Sequence, residues 1–275
     1  MGAGRLEGRS ESPRLDAELL LGKTLGCSRS ALIARGNETV TDESQIRYGG
    51  LLEQRMHGAP VAYLTGVREF WSLSLTVSPA VLVPRPETEL LVERALQLLP
   101  ANEPCSVLDL GTGSGAIALA IASERPAAHV TGVDISPGAL AVAAQNARHL
   151  GCANVDWQLG SWFDALGLAR FDLILANPPY VAAADPVMAS LAAEPAIALS
   201  SGPTGLEALN AIAADAPRHL SDGAWLLLEH GSAQGSEVAR LLQRHGFNRI
   251  ETLLDLSAKP RVTLGIFHSQ HEDKP

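Results

Sequence analysis

The sequence predicts an α/β protein: a doubly wound, mostly parallel sheet of seven strands with its last two strands antiparallel, preceded by a small helical module and a β-hairpin. Three observations carry this. From residue 105 onward, strand-length apolar runs alternate with helical stretches, the pattern that builds a sheet covered on both faces. A glycine-rich loop, Gly111 to Gly115, follows the first of those runs directly. Ahead of residue 66 the apolar residues recur at helical spacing instead. The resulting division is a helical domain over 1–69, a hairpin linker over 70–83 and a sheet domain over 84–275.

In the first segment, Leu15, Leu19 and Leu20, then Leu25, Leu32 and Ile33, then Ile46, Leu51 and Leu52 mark helices between Pro13 and about Arg55. Glycines and the cap-like Thr41-Asp42-Glu43 separate them. Met1 to Arg14 is polar and arginine-bearing, so no secretory signal is expected there. From Phe70, Leu73, Leu75 and Val77 alternate with Ser72, Ser74 and Thr76; Ser78-Pro79-Ala80 punctuates and Val81-Leu82-Val83 follows, which reads as a hairpin. Pro84 to Glu89 then opens a helix through Leu99, with Glu87 and Glu89 suited to its first turn. The doubled proline there can also wall a pocket. The sheet strands are expected at Ser106–Leu110, His129–Asp134, Val155–Leu159, Phe171–Ala176, Ala224–Glu229, Ile250–Leu254 and Arg261–Phe267. Between them Ala116–Ser123 and Pro137–His149 read as helices, the second with Ser136 as N-cap and Pro137 at its first position. The short link between the last two strands makes them antiparallel.

Composition narrows the function. With 275 residues, 46% of them hydrophobic, the chain can bury one large core and a smaller one. No apolar run reaches the length of a membrane span, so no membrane partner is expected. Cys27, Cys105 and Cys152 are odd in number and far apart, which fits neither a disulfide framework nor a zinc site; reduced thiols and a cytoplasmic location are expected. The eight histidines, His57 among them, lack ligand spacing, and no metal is expected. Residues 1–80 hold nine of the 21 Lys and Arg and nine of the 30 Asp and Glu, so the whole net charge of −9 falls on residues 81–275. Such a surface repels phosphate backbones and argues against direct nucleic-acid binding.

Two stretches carry chemistry. In Asp109-Leu110-Gly111-Thr112-Gly113-Ser114-Gly115-Ala116, glycines let the backbone turn and let a ligand approach a helix N-terminus. Asp134, 23 positions after Gly111, ends the next strand where a carboxylate can accept both ribose hydroxyls of an adenosine. The spacing also passes for a dinucleotide fingerprint. Asp109 separates the two readings, since it suits a cationic sulfonium cofactor and repels a pyrophosphate. The second stretch is Asn177-Pro178-Pro179-Tyr180, after the apolar run Phe171 to Ala176. Two prolines stiffen it and remove two N–H donors, leaving a shelf of an amide, a carbonyl and a flat ring that suits a planar group bearing two N–H donors. A strand followed by Asn-Pro-Pro is equally a plain turn.

Taken together, Asp109 to Gly115, Asp134 and Asn177 to Tyr180 resemble the class I S-adenosylmethionine-dependent methyltransferases that methylate amino groups. Leu64 to Trp71, Val83 to Glu89, Leu228-Glu229-His230-Gly231 and Arg261 to Gly265 are similar to the glutamine methyltransferases of peptide chain release factors. The resemblance runs from about Pro13 to Phe267. It implies a Rossmann-like catalytic domain, with release factors as protein partners and the glutamine of their Gly-Gly-Gln loop as acceptor. Gly111, Thr112, Gly113, Ser114, Gly115 and Asp134 would hold S-adenosylmethionine, with Asn177 bordering it. Trp162 would pack on the adenine, although it also reads as an ordinary core aromatic. Asn177, Pro178, Pro179 and Tyr180 would bind the glutamine amide, and Asn177, Pro178 and Tyr180 would be the catalytic set.

Two departures stand out. Ala193 precedes Glu194-Pro195 where the family has a basic residue and a longer loop between Asp185 and Leu199, and Ser257-Ala258-Lys259-Pro260 replaces a glycine-acidic link. Three alternatives remain at this stage. An adenine-N6 methyltransferase, the closest rival, meets the same two-donor geometry; a ribosomal-protein glutamine methyltransferase is another, and Pro86-Glu87-Thr88 resembles the release-factor branch instead; a cofactor-binding scaffold without activity is the third.

Overall fold

The structure, a computed structural model, describes residues 2–34, 36 and 38–269. The chain divides into two compact units, one of residues 1–67 with 77–79 and one of residues 68–76 with 80–275.

In the first unit, α1 (Gly2–Leu6), α2 (Pro13–Leu25), α3 (Arg29–Ala34), α4 (Asp42–Met56) and α5 (Val61–Thr65) follow one another. Thr41 caps α4 by accepting from Ser44 N, and Gly26 ends α2 in the left-handed region. Leu6, Ala17, Leu20 and Leu52 form its core. Beside them Asp16, buried, pairs with Arg55 at 2.8 Å and accepts from Ser10 Oγ at 2.7 Å. The helical region thus begins ahead of Pro13: Leu6 is fully buried within a stretch too short and polar to show periodicity.

The hairpin lies earlier than 70–83. Its strands are β1 (Val67–Phe70) and β2 (Leu73–Thr76), and the turn is Trp71-Ser72, both at positive φ (51° and 59°). A two-residue turn of this hand matches the twist of paired strands. Glu89 Oε1 accepts from Trp71 N at 2.9 Å and holds it. Val81-Leu82-Val83 is not a strand: Val81 and Val83 are buried, and Val83 N donates to Glu194 Oε2 at 3.0 Å.

The second unit holds a seven-stranded sheet of β3 (Cys105–Leu110), β4 (Ala128–Asp134), β5 (Val155–Leu159), β6 (Phe171–Ala176), β7 (Leu220–Glu229), β8 (Phe247–Leu254) and β9 (Pro260–Phe267) in the order β5-β4-β3-β6-β7-β9-β8. The first five in chain order pair in parallel, and β9 runs antiparallel to both its neighbours. Successive residues of each inner strand feed opposite faces. Leu173 and Leu175 join the core under α6 (Glu89–Leu98), α7 (Ala116–Glu124) and α8 (Pro137–Leu150). Ile174 and Ala176 join the core under α10 (Glu207–Asp215) and α11 (Gly235–Arg244). The short α9 (Val187–Ser190) lies in the loop after β6. Burial on both faces is why β3 and β6 are mostly apolar, broken only by Ser106 and Asp109 in the first and Asp172 in the second. Ser136 Oγ accepts from Ala139 N to cap α8, with Pro137 at its first turn, as the spacing predicts.

Between β8 and β9, Asp255 Oδ1 accepts from Ser257 N and Lys259 N, its Oδ2 pairs with Arg261 at 3.1 Å, and Ala258 takes a positive φ of 56°. This turn does without the family's glycine. On α8, Asn146 is 1% exposed; its Oδ1 accepts from Thr76 N at 2.8 Å, and its Nδ2 donates to Thr76 O and to Ser114 O. It binds the end of the hairpin to the glycine loop.

Candidate active site

The strand order reverses at β3, where the chain moves to β4 and β5 on one side and then to β6 on the other. Ligands of such sheets bind in the crevice at the carboxyl ends of strands around that point. A cavity of about 450 Å³ lies there, within the range of small-molecule sites. Gly111, Asp134, Trp162 and Asn177 line it from the ends of β3, β4, β5 and β6. Pro84, Arg85 and Thr88 close it from the segment ahead of α6.

The glycine loop has the geometry its sequence predicts. Gly111, Gly113 and Gly115 take φ of 71°, 55° and 81°. A Cβ on Gly115 would stand 3.0 Å from Trp157 and 3.1 Å from Leu119, so that glycine lets α7 pack closely on the sheet. Asp134 Oδ2 accepts from Gly113 N at 2.9 Å, and its Oδ1 accepts from Ser136 N at 2.9 Å. Both oxygens are fixed at the cavity wall and retain lone pairs for a ligand hydroxyl. Trp162 also lines the cavity, with φ of 48°, a costly conformation for a bulky residue and one that recurs at functional sites.

Asp109 is placed otherwise than the charge argument implies. It is fully buried and does not line the cavity; its Oδ2 accepts from Thr112 Oγ1 at 2.6 Å and from Ala118 N at 3.2 Å. Burial pushes its carboxyl up to about 7, against the pull of those two donors. Asp109 therefore braces the loop from behind instead of meeting a cation.

The shelf is divided. Asn177 and Pro179 line the cavity, whereas Pro178 and Tyr180 do not. Asn177 Nδ2 donates to Thr88 Oγ1 at 3.1 Å, and its Oδ1 has no hydrogen-bond partner among the described residues. Tyr180 is mostly buried, and its hydroxyl donates to Glu229 Oε1 at 3.3 Å. Burial, then Glu229, raise the Tyr180 pKa.

Several participants are not legible in the sequence. Glu194, buried, pairs with Arg85 of the cavity wall and accepts from Val83 N, so the shortened loop after β6 is clasped to the segment ahead of α6. Thr88 and Glu229 are buried polar residues that fall within the stretches Val83 to Glu89 and Leu228 to Gly231, but nothing in their spacing shows what they touch. Among the described residues no group of three or more His, Cys, Asp or Glu could hold a metal ion, and Cys27, Cys105 and Cys152 are free. No helix among them is long and apolar enough to cross a membrane.

Comparison with known proteins decides the family. Residues 1–66 match the family described as PrmC N-terminal domain, and residues 101–201 match Methyltransferase domain. The release factor glutamine methyltransferase of Xylella fastidiosa (strain Temecula1) is 50% identical over 254 residues, 92% of each chain. That of Salmonella typhimurium is 48% identical over 260 residues, 94% of each. The chain belongs to the release factor glutamine methyltransferase family. It is an S-adenosylmethionine-dependent methyltransferase. A methyltransferase from Pyrococcus furiosus shares the fold, with a TM-score of 0.55 at 16% identity over 71% of this chain and 89% of its own.

The cavity fits the family's cofactor. A carboxylate fixed at a strand end, a loop of positive-φ glycines and a tryptophan wall offer what a ribose, a close-lying ligand backbone and an adenine require.

Proposed function

We propose that this enzyme methylates the side-chain amide nitrogen of the glutamine in the Gly-Gly-Gln loop of peptide chain release factors. The observation that carries this reading is the orientation of Asn177, whose amide nitrogen is engaged by Thr88 while its oxygen is left without a protein partner at the cavity. A carboxamide nitrogen is a poor nucleophile, because its lone pair is shared with the carbonyl. Asn177 Oδ1 accepts one of its N–H groups, orients the nitrogen and favours the positive charge it gains. Pro178, buried off the cavity wall, and Pro179 stiffen the backbone there and present no N–H that would compete with the substrate for that acceptor.

Gly111 to Gly115, Asp134 and Trp162 hold the cofactor, which when bound supplies an electrophilic methyl group on a sulfonium. No strong base is needed beforehand, since the amide proton becomes acidic only once nitrogen is alkylated. Positioning of this kind is worth roughly several kcal/mol of the barrier. Tyr180, held by Glu229, buttresses the shelf and helps keep water out. A cytoplasmic location follows from the substrate. The excess of acidic residues beyond residue 80 disfavours the adenine-N6 alternative, because a nucleic-acid substrate would be repelled.

The test is mass spectrometry of a release factor incubated with the enzyme and S-adenosylmethionine. A single-methyl increment on the Gly-Gly-Gln peptide, absent when that glutamine is replaced, is expected. Methylation at another residue, or none, would overturn the assignment.

A further inference from the structure

Two strand ends lie side by side where the shelf begins. β6 and β7 pair in parallel through Ala176 and Leu228, so Asn177 and Glu229 leave the sheet as neighbours. Glu229 is 1% exposed, a carboxyl that the proposed chemistry does not touch, and burying such a group is costly. Its Oε1 accepts from Tyr180 Oη, while its buried Oε2 has no hydrogen-bond partner among the described residues. Thr88, 3% exposed, stands beside it with a hydroxyl near enough to favour its charged form, although no hydrogen bond of ordinary geometry joins the two. That same hydroxyl oxygen accepts from Asn177 Nδ2.

We propose that Glu229 is a positioning residue for methyl transfer: through Thr88 it sets which half of the Asn177 amide faces the substrate, and through Tyr180 it anchors the end of the shelf. This rests on the proposed function and deepens it. Hydrogen-bond polarity links the three groups. An amide can be turned end for end at little steric cost, and a hydroxyl can donate in any direction its rotor allows. An ionised carboxylate can only accept. With Glu229 charged, the Thr88 proton turns toward the carboxylate, and the Thr88 lone pairs are left for a donor. Only the NH₂ half of Asn177 supplies one, so Oδ1 remains for the substrate. A protonated Glu229 lifts this constraint. It can donate to Thr88, Thr88 can donate to Oδ1, and the amide then presents N–H groups to a substrate that also brings N–H groups.

The surroundings of Glu229 put this switch near neutral pH. Burial, the largest influence, pushes its carboxyl up to about 7; Thr88, Arg261 and Tyr180 favour the charged form, and Glu87 opposes it. Tyr180 is raised and stays neutral, Arg261 is raised and stays charged, and His230 is lowered by burial. Tyr180 and Arg261 therefore keep their charge state near pH 7, and comparison with Glu229→Gln separates any contribution of His230 from that of Glu229.

The experiment measures kcat, KM for release factor and cofactor dissociation constant for the full chain from about pH 5.5 to about 9. The proteins are wild type, Glu229→Gln, Thr88→Val and Thr88→Ser. Wild-type kcat is expected to fall about tenfold per pH unit below an apparent pKa near 7, with cofactor affinity changing only a few-fold. Glu229→Gln, which donates as readily as it accepts, is expected to lose roughly tenfold or more of kcat at pH 8 and to show no acid limb. Thr88→Ser is expected to regain most of the rate that Thr88→Val loses. A Glu229→Gln enzyme with the wild-type rate and acid limb would overturn the proposal and leave the proposed function intact. A wild type that does not methylate release factor would overturn the function instead. If circular dichroism shows Glu229→Gln misfolded, the Thr88 pair decides: equal kcat in Thr88→Val and Thr88→Ser overturns the proposal.

Discussion

The two sides of the cavity are each backed by a buried carboxyl pushed up to about 7, yet they are built differently. Behind the cofactor loop, Asp109 accepts from Thr112 and from the backbone of α7, and Asp134 accepts from two backbone amides. Behind the shelf, the Glu229 carboxyl accepts from a side chain, the Tyr180 phenol, and the groups that influence its charge, Thr88 and Arg261 among them, are side chains too. Backbone partners are fixed by the fold, whereas side-chain partners can turn. The first side is thus suited to holding a ligand in one place, the second to choosing the polarity presented to a substrate.

Substitutions on the two sides should therefore separate in kinetics. The largest effect is expected for Asn177→Ala, with methyl transfer reduced about 100-fold or more and the cofactor dissociation constant, by calorimetry, within a few-fold. Loss of cofactor binding in parallel would erase the distinction between the sides. Asp134→Ala should do the reverse, weakening cofactor roughly tenfold while kcat at saturating cofactor stays within a few-fold. An unchanged dissociation constant would show that this carboxylate serves the loop alone. The smallest effect is thermodynamic. Because the folded pKa of Asp109 is raised above 3.8, its contribution to stability is complete below that value and is lost as pH rises through about 7. Asp109→Asn should accordingly melt higher than wild type at pH 8, by at least a few degrees, and by less at pH 5, where only part of the penalty has built up. A difference that is the same at both values would mean that ionisation is not what Asp109 adds.

Most of the sheet was legible because buried parallel strands leave short apolar runs bounded by turn residues, although Val81-Leu82-Val83 imitates one without forming a strand. The glycine loop was legible because positive φ selects glycine, and the shelf because proline is conspicuous. The hairpin was misplaced since its turn, Trp71-Ser72, carries none of the residues that favour positive φ and is held by the distant Glu89. Asp109 misled because a carboxylate next to a binding loop reads as facing the ligand, and only burial shows that it faces α7. Thr88, Glu194 and Glu229 stayed hidden for a related reason. Each acts through a partner 89 or more, 109 or more and 49 positions away in the chain, and no local pattern records such a pairing.

Asn146 has a bearing on how variants of this enzyme should be sorted. Its one side chain completes the hydrogen bonding of Thr76 on the hairpin and holds Ser114 in the loop that cradles the cofactor. A mechanical disturbance of the linker would therefore surface as impaired cofactor affinity. A screen that scores binding alone would enrol such linker variants among the ligand contacts, although the altered residue touches no ligand.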